Sequence, residues 1–146
     1  MARTRRRDRA SAGVTQLLVL DADGLSRAAT RDAKAQAWLE RARELDADVI
    51  VSAVTLAEVL RGGARDAGID RVVKASDVWP ADEQLTRHAG RLLGKASSDA
   101  TVDAIVAATA AAGRQRHGAA RCVVLTSAPH DLRMLLADEH VEVVAL

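Results

Sequence analysis

The sequence predicts an α/β fold: a three-layer α/β/α sandwich around a short, mostly parallel five-stranded sheet. Three observations carry this expectation. Five short apolar runs, over residues 16–20, 48–51, 76–79, 121–125 and 141–144, recur along the 146 residues. Segments of helical composition separate them, and that alternation implies parallel strands covered on both faces. A carboxylate, Asp21, closes the first run, at the strand end where open α/β sheets form their ligand crevice.

The elements follow in order. Gln16–Leu20 is uninterruptedly apolar after its first residue, the mark of a strand buried on both faces. It stops at Asp21-Ala-Asp-Gly24, where either Asp21 or Asp23 can cap the next helix; both roles are filled if Asp23 is the cap and Asp21 faces the crevice. Residues 33–45 read as a helix with Trp38, Ala42 and Leu45 on one stripe. A second strand over 48–51 leads into a helix over 52–61, ended by Gly62-Gly63. Thr55 and Glu58 inside it have the spacing of a capping box, the alternative to a functional Glu58. A short helix over 66–75 and a short strand over 76–79 precede Pro80. A helix then starts at Asp82-Glu83 and runs to Leu93, stopping at Gly94. Ser97-Ser98 offers an N-cap for the alanine-rich helix that carries Asp103, with Asp99 in its first turn and on the same face. Gly113 to Gly118 is expected to break that helix. The fourth strand, 121–125, is followed by Thr126-Ser-Ala-Pro129, with Pro129 suited to a first helical turn. A last strand covers 141–144.

Composition narrows the function. The chain is 49% hydrophobic and 28% charged, as one soluble domain is. No apolar run approaches the ~18 residues that cross a membrane, and no apolar segment follows the basic N-terminus as a secretory signal requires. Cys122 is the only cysteine, which excludes an intrachain disulfide and a thiolate zinc cluster and points to a reducing, cytoplasmic setting. The net charge of +1 is uneven: without residues 1–10, which hold five arginines and Asp8, 16 basic and 19 acidic residues remain. A mildly acidic body is not a general phosphate-backbone binder. Residues 1–15 read as a basic, disordered, solvated tail, with nucleic-acid contact as the alternative, and 16–146 as the folded domain. Trp38 and Trp79 are the only aromatics, so base-stacking platforms are not expected.

Three acids remain: Asp21 after the first strand, Glu58 in the helix after the second, and Asp103 in the helix before the fourth. The first and fourth strands are natural neighbours at a switch point, and elements leaving their carboxyl ends converge there. Carboxylates sharing a crevice repel unless a cation is bound. An all-oxygen acidic site suits Mg²⁺ or Mn²⁺, ions that orient a phosphodiester and help generate hydroxide. The four histidines, at 88, 117, 130 and 140, suggest no Ser/His/Asp arrangement, and no P-loop or GxGxxG occurs. A phospho-receiver domain also gathers acids at strand ends, but it wants a lysine near the last strand, and the lysines are Lys34, Lys74 and Lys95.

At these residues the chain resembles a family. Leu18-Val-Leu-Asp-Ala-Asp-Gly-Leu25, Thr55-Leu-Ala-Glu-Val-Leu-Arg-Gly62, Asp103-Ala-Ile-Val-Ala-Ala-Thr-Ala110 and Val123-Val-Leu-Thr-Ser-Ala-Pro-His-Asp-Leu132 are similar, in order and spacing, to the motifs of PIN-domain ribonucleases, above all the toxins of VapBC-type toxin–antitoxin pairs. The resemblance implies a Mg²⁺- or Mn²⁺-dependent endoribonuclease, a homodimer and a cognate antitoxin. It implies that Asp21, Glu58 and Asp103 are catalytic and bind metal, that Asp99 is a further metal-binding acid, and that Thr126 and Ser127 support them with hydroxyls. One position departs: the last motif carries Ala128 where the family has an acid or amide. The alternative is therefore a catalytically impaired PIN-like domain that serves as a binding partner.

Overall fold

The computed structural model describes residues 16–146; the basic tail lies outside the described residues. The element order is β1 (Gln16–Leu20), α1 (Ala22–Ala29), α2 (Ala33–Glu44), β2 (Asp48–Ser52), α3 (Ala53–Val59), α4 (Asp66–Lys74), β3 (Asp77–Trp79), α5 (Glu83–Ala96), α6 (Thr101–His117), β4 (Arg121–Thr126), α7 (Pro129–Leu135) and β5 (Glu142–Ala145). The sheet order is β3-β2-β1-β4-β5, and every pairing is parallel. The five-stranded sandwich is thus present, with β1 and β4 adjacent at the switch point.

Alternation along the strands builds two cores. Leu17 and Val19 of β1 join Ile50, Cys122 and Val124 in a cluster with Leu85, Leu92, Val106 and Leu132 from α5, α6 and α7. Leu18 and Leu20 point the other way, joining Val51, Val123 and Leu125 with Leu25, Ala28, Ile69 and Val72 from α1 and α4. Each fully buried Leu or Ile contributes about 1.5–3 kcal/mol.

Close approach sets how the helices sit on the sheet. A Cβ at Gly24 in α1 would lie 2.7 Å from the Leu125 carbonyl oxygen of β4. A Cβ at Gly113 in α6 would lie 2.9 Å from Leu17 and 3.2 Å from Ile50. Gly113 therefore does not break α6, contrary to expectation. The helix crosses the sheet there and continues to His117, ending at Gly118, whose φ is 58°.

The local expectations need further correction. A helix capped at Asp23 was expected here, but α1 begins two residues earlier, and Asp23, Gly24 and Ser26 hide its pattern. Its N-cap is Asp21, which accepts from the Gly24 N–H at 2.8 Å; Asp23 sits in the first turn. No capping box forms in α3: Ser52 is the N-cap without a side-chain cap bond, and Thr55 is buried within the helix. Helix α5 continues past Gly94 and ends at Ser97 in the left-handed region. The N-cap of α6 is Ala100, not a serine. Asp99 precedes the helix, exposed, with its backbone carbonyl accepting from Thr101 N–H.

Candidate active site

The crevice lies at the carboxyl ends of β1, β2 and β4. Leu20 pairs with Val51 and Leu125, so the next residues, Asp21, Ser52 and Thr126, form a row across the three central strands. Leu20, Val51 and Leu125 face the α1 side, so pleating turns that row toward α6. Asp21 is 7% exposed, and Ser52 and Thr126 are almost completely buried. The Thr126 hydroxyl hydrogen-bonds the Asp21 carboxylate and accepts from the Ala128 N–H at 3.0 Å. Asp21 is thereby fixed from two sides, by the first turn of α1 and by the end of β4.

The sequence-predicted acids converge electrostatically. Burial pushes the Asp21 carboxyl above its ordinary range, helped by the charges of Asp23 and Asp103, while the bonds from Gly24 and Thr126 work against the rise. Glu58, on an exposed stretch of α3, is raised by partial desolvation and then by Asp103, Asp21 and Asp23. Asp103, in the first turn of α6, is raised by desolvation and by Asp131 and Asp23. The α6 dipole favours a negative Asp103, yet burial and like charge outweigh it.

Two acids outside the predicted set belong to this field. Asp23 acts on all three carboxyls. Asp131, in the first turn of α7, acts on Asp103. The Asp-x-Asp spacing at 21 and 23 was a usable signal for the first; the reach of Asp131 depends on how α7 docks, which no local pattern encodes. Asp99 is exposed ahead of α6, and the chain places Ser127 and Ala128 exposed between β4 and α7. Ala128 is the N-cap of α7 and supplies no side-chain cap.

The donor set tests the implied ion. It is oxygen only, as Mg²⁺ or Mn²⁺ prefers. Among the described residues no three His, Cys, Asp or Glu side chains are arranged to hold an ion by direct ligation alone. An ion that keeps several waters and takes one or two carboxylates directly fits such spacing. The hydroxyls of Ser52, in the row, and of Thr55, in α3, are buried without a protein partner, oxygens that buried sites ordinarily satisfy. Cys122 offers no thiolate: burial raises its pKa to about 12.

Comparison with known proteins agrees with the fold. The chain is similar to the VapBC2 complex of Rickettsia felis bound to a DNA fragment from its promoter, with a TM-score of 0.67 and 13% identity, covering 89% of this chain and 98% of that one. It is also similar to VapBC-1 of nontypeable Haemophilus influenzae, with a TM-score of 0.60 and 16% identity, covering 88% of this chain and 97% of that one. No curated protein sequence matches. The family model of the PIN domain matches residues 18–127, a span that runs from β1 through the end of β4 and takes in Asp21, Glu58 and Asp103, and the chain accordingly belongs to the PIN domain family.

Proposed function

We propose that this chain is a divalent-metal-dependent endoribonuclease acting as the toxin of a toxin–antitoxin pair in the cytoplasm. One observation carries the reading. Three carboxyls from three separate elements, Asp21, Glu58 and Asp103, are all raised, first by burial and then by neighbouring acids, with the charge of Asp103 acting on both Asp21 and Glu58, at the switch point of a parallel sheet. Burial and like charge of this kind cost stability unless a cation offsets them.

Asp21, Glu58 and Asp103 are the residues that would hold Mg²⁺ or Mn²⁺; Asp99, exposed ahead of α6, is a further acid only if its segment turns toward them. Bound there, the ion would lower the pKa of water and stabilise charge on a phosphodiester. Thr126 holds Asp21 in one orientation through its hydroxyl. Ser127, exposed beside it, has a hydroxyl free to donate to a substrate phosphate oxygen. Asp131 and Asp23 keep the crevice negative, so RNA enters productively only when the charge is neutralised.

The kinship of the fold with two VapBC complexes supports an antitoxin partner, and a basic antitoxin segment would complement the acids. A homodimer belongs to the same reading, and sedimentation of the purified chain tests it. A second reading, a PIN domain that binds without cutting, is favoured by the apolar Ala128 at the mouth. RNA incubated with the protein and Mn²⁺ decides between them. Cleavage that disappears in Asp103→Asn supports the nuclease; no cleavage by the parent or by Ala128→Asp overturns it.

A further inference from the structure

A crevice under the negative charge of Asp21, Asp23, Glu58, Asp103 and Asp131 repels the polyanion it would cut, and residues 11–146 carry more acids than bases. Substrate affinity therefore calls for cations on the folded surface away from the crevice, in addition to the five arginines of residues 1–10. We infer that the outer face of α5, continued by the last turns of α6, is a track that binds the phosphate backbone of single-stranded RNA and leads it to the crevice. The inference rests on the nuclease reading.

Helix α5 buries Leu85, Ala89 and Leu92. Its opposite face carries Arg87, Arg91 and Lys95, all exposed, at i, i+4 and i+8, a row about 12 Å long; Arg87 is paired with Glu83 at 2.8 Å, so Arg91 and Lys95 carry the unbalanced charge. After Glu83 no acid occurs until Asp99. The other surface helices differ. In α2, Lys34, Arg41 and Arg43 alternate with Glu40 and Glu44, and in α4, Arg71 and Lys74 with Asp66 and Asp70. Balanced faces of that kind are ordinary solvated surface; the α5 face is unbalanced.

The row opens at its far end into a groove of about 600 Å³ between the start of α5 and the end of α6. Arg91, Arg114, Arg116 and His88 line it, with Trp79. Its acids are occupied: Asp82 caps α5 through the Leu85 N–H, and Glu139 lies 3.9 Å from His88 Nε2. None of the ion pairs among the described residues uses Arg91, Lys95, Arg114 or Arg116. The Arg114 Nε is buried without a protein partner, and the Arg116 guanidinium stacks 4.4 Å from the Trp79 ring centroid.

A second, independent observation comes from Gly90 and Gly94. Both are exposed within α5, and a Cβ at either would meet nothing within 4 Å. Glycine inside a helix costs about 1 kcal/mol relative to alanine, and here no packing demands it. Bare backbone beside Arg91 and Lys95 leaves a flat strip on which a phosphate chain can lie close to the cations. At the near end, residues 97–100 connect Lys95 to α6 and its Asp103. Asp103 and Arg114 are 11 residues apart, about 16 Å of helix, so a short single strand spans crevice and groove together.

The test measures binding apart from cutting. Fluorescence anisotropy of a labelled single-stranded RNA, in EDTA and over a range of NaCl, gives the salt slope of the parent and of Arg91→Ala/Lys95→Ala. Loss of two phosphate contacts should lower the slope by about 1.4 and weaken binding on the order of tenfold at 0.1 M salt. In Mn²⁺ the same double variant should raise KM with kcat unchanged, and leave Mn²⁺ affinity unchanged. Lys34→Ala/Lys74→Ala, on the opposite layer, should match the parent. An unchanged salt slope in Arg91→Ala/Lys95→Ala overturns the track even if the parent cuts RNA. Conversely, a parent that binds with the expected slope and never cuts removes the nuclease reading and leaves the track standing. Weakened binding of an acidic peptide with RNA binding intact would assign the face to a protein partner and overturn the inference.

Discussion

Two glycine-to-alanine changes should shift stability in opposite directions. Gly24 and Gly90 both lie in helices with ordinary negative φ, so backbone strain does not separate them; space does. At Gly90 the added methyl meets nothing within 4 Å, leaving only the helix-propensity gain, about 1 kcal/mol. At Gly24 it would stand 2.7 Å from the Leu125 backbone oxygen, where ordinary contact begins at 3.4 Å. That oxygen belongs to the central strand β4 and cannot rotate away, so α1 must retreat by about 0.7 Å. A gap of that size forfeits about a quarter to a half of each dispersion contact made by the α1 face, which includes Leu25 and Ala28. Overpacking typically costs about 1–3 kcal/mol, more than the propensity gain. Gly24→Ala should therefore lose about 1–2 kcal/mol, a fall in Tm of roughly 3–6 °C, while Gly90→Ala rises by about 3 °C. Thermal unfolding followed by circular dichroism in EDTA reads both, and the double variant should be additive because the sites are far apart. The retreat also drags the Gly24 N–H away from Asp21, so the stabilisation conferred by Mn²⁺ should shrink in Gly24→Ala alone. A Gly24→Ala protein as stable as the parent would refute the claim that α1 is seated on β4 at its contact limit.

The raised carboxyls set a pH dependence. An acid with a higher pKa in the folded state binds its proton more tightly there, so its contribution is most favourable below the ordinary value and is lost as pH rises through the folded one. In EDTA the Tm of the parent should fall, as pH rises above the ordinary carboxylate range of about 4, more steeply than that of Asp103→Asn; equal slopes would contradict a raised Asp103 carboxyl. Ala128→Asp adds an N-cap to α7, worth about 1 kcal/mol, and a carboxylate at the crevice mouth. Its Tm difference between Mn²⁺ and EDTA should exceed the parent's, and an equal difference would place residue 128 beyond the reach of the ion. Thr55→Val keeps the shape of a hydroxyl that bonds no protein group, so stability should change by less than about 1 kcal/mol; a loss of about 2 kcal/mol or more would show that the hydroxyl is satisfied.

The sheet was legible because a strand buried on both faces has no polar residue to interrupt it. Gln16–Leu20 and Arg121–Leu125 could be read from their apolar runs, the structure extending the latter to Thr126, and their adjacency followed from the switch point of a parallel sandwich. Asp21, Glu58 and Asp103 stood out as charges beside apolar runs, and the fold brings their fields together. Local helix chemistry was less legible, because one residue type serves several ends. Asp21 was read for the crevice and Asp23 for the cap, while the chain uses Asp21 for both. Gly113 was read as a breaker because a sequence does not show that a helix needs a missing Cβ to clear Leu17 and Ile50. The cation row on α5 was present as spacing, but net charge averaged it away.

Why α6 is so rich in alanine follows from the same geometry. Ala104, Ala107, Ala108, Ala110 and Ala111 are all buried, the last at 8% exposure, between the sheet on one side and α5 on the other. Their hydrophobic contribution is small, since each buries one methyl; what they contribute is distance. Small side chains let α6 settle against β1, β2 and β4 at once, and Gly113 lets its far end do the same. The near end is then held close enough to β1 for the charge of Asp103 to act on Asp21. A larger residue at Ala104 or Ala107 would add apolar area and lift that end, relieving the repulsion and separating the oxygens a shared ion needs. The alanine run thus fixes carboxylate spacing, and with it the electrostatic cost that a bound cation would offset.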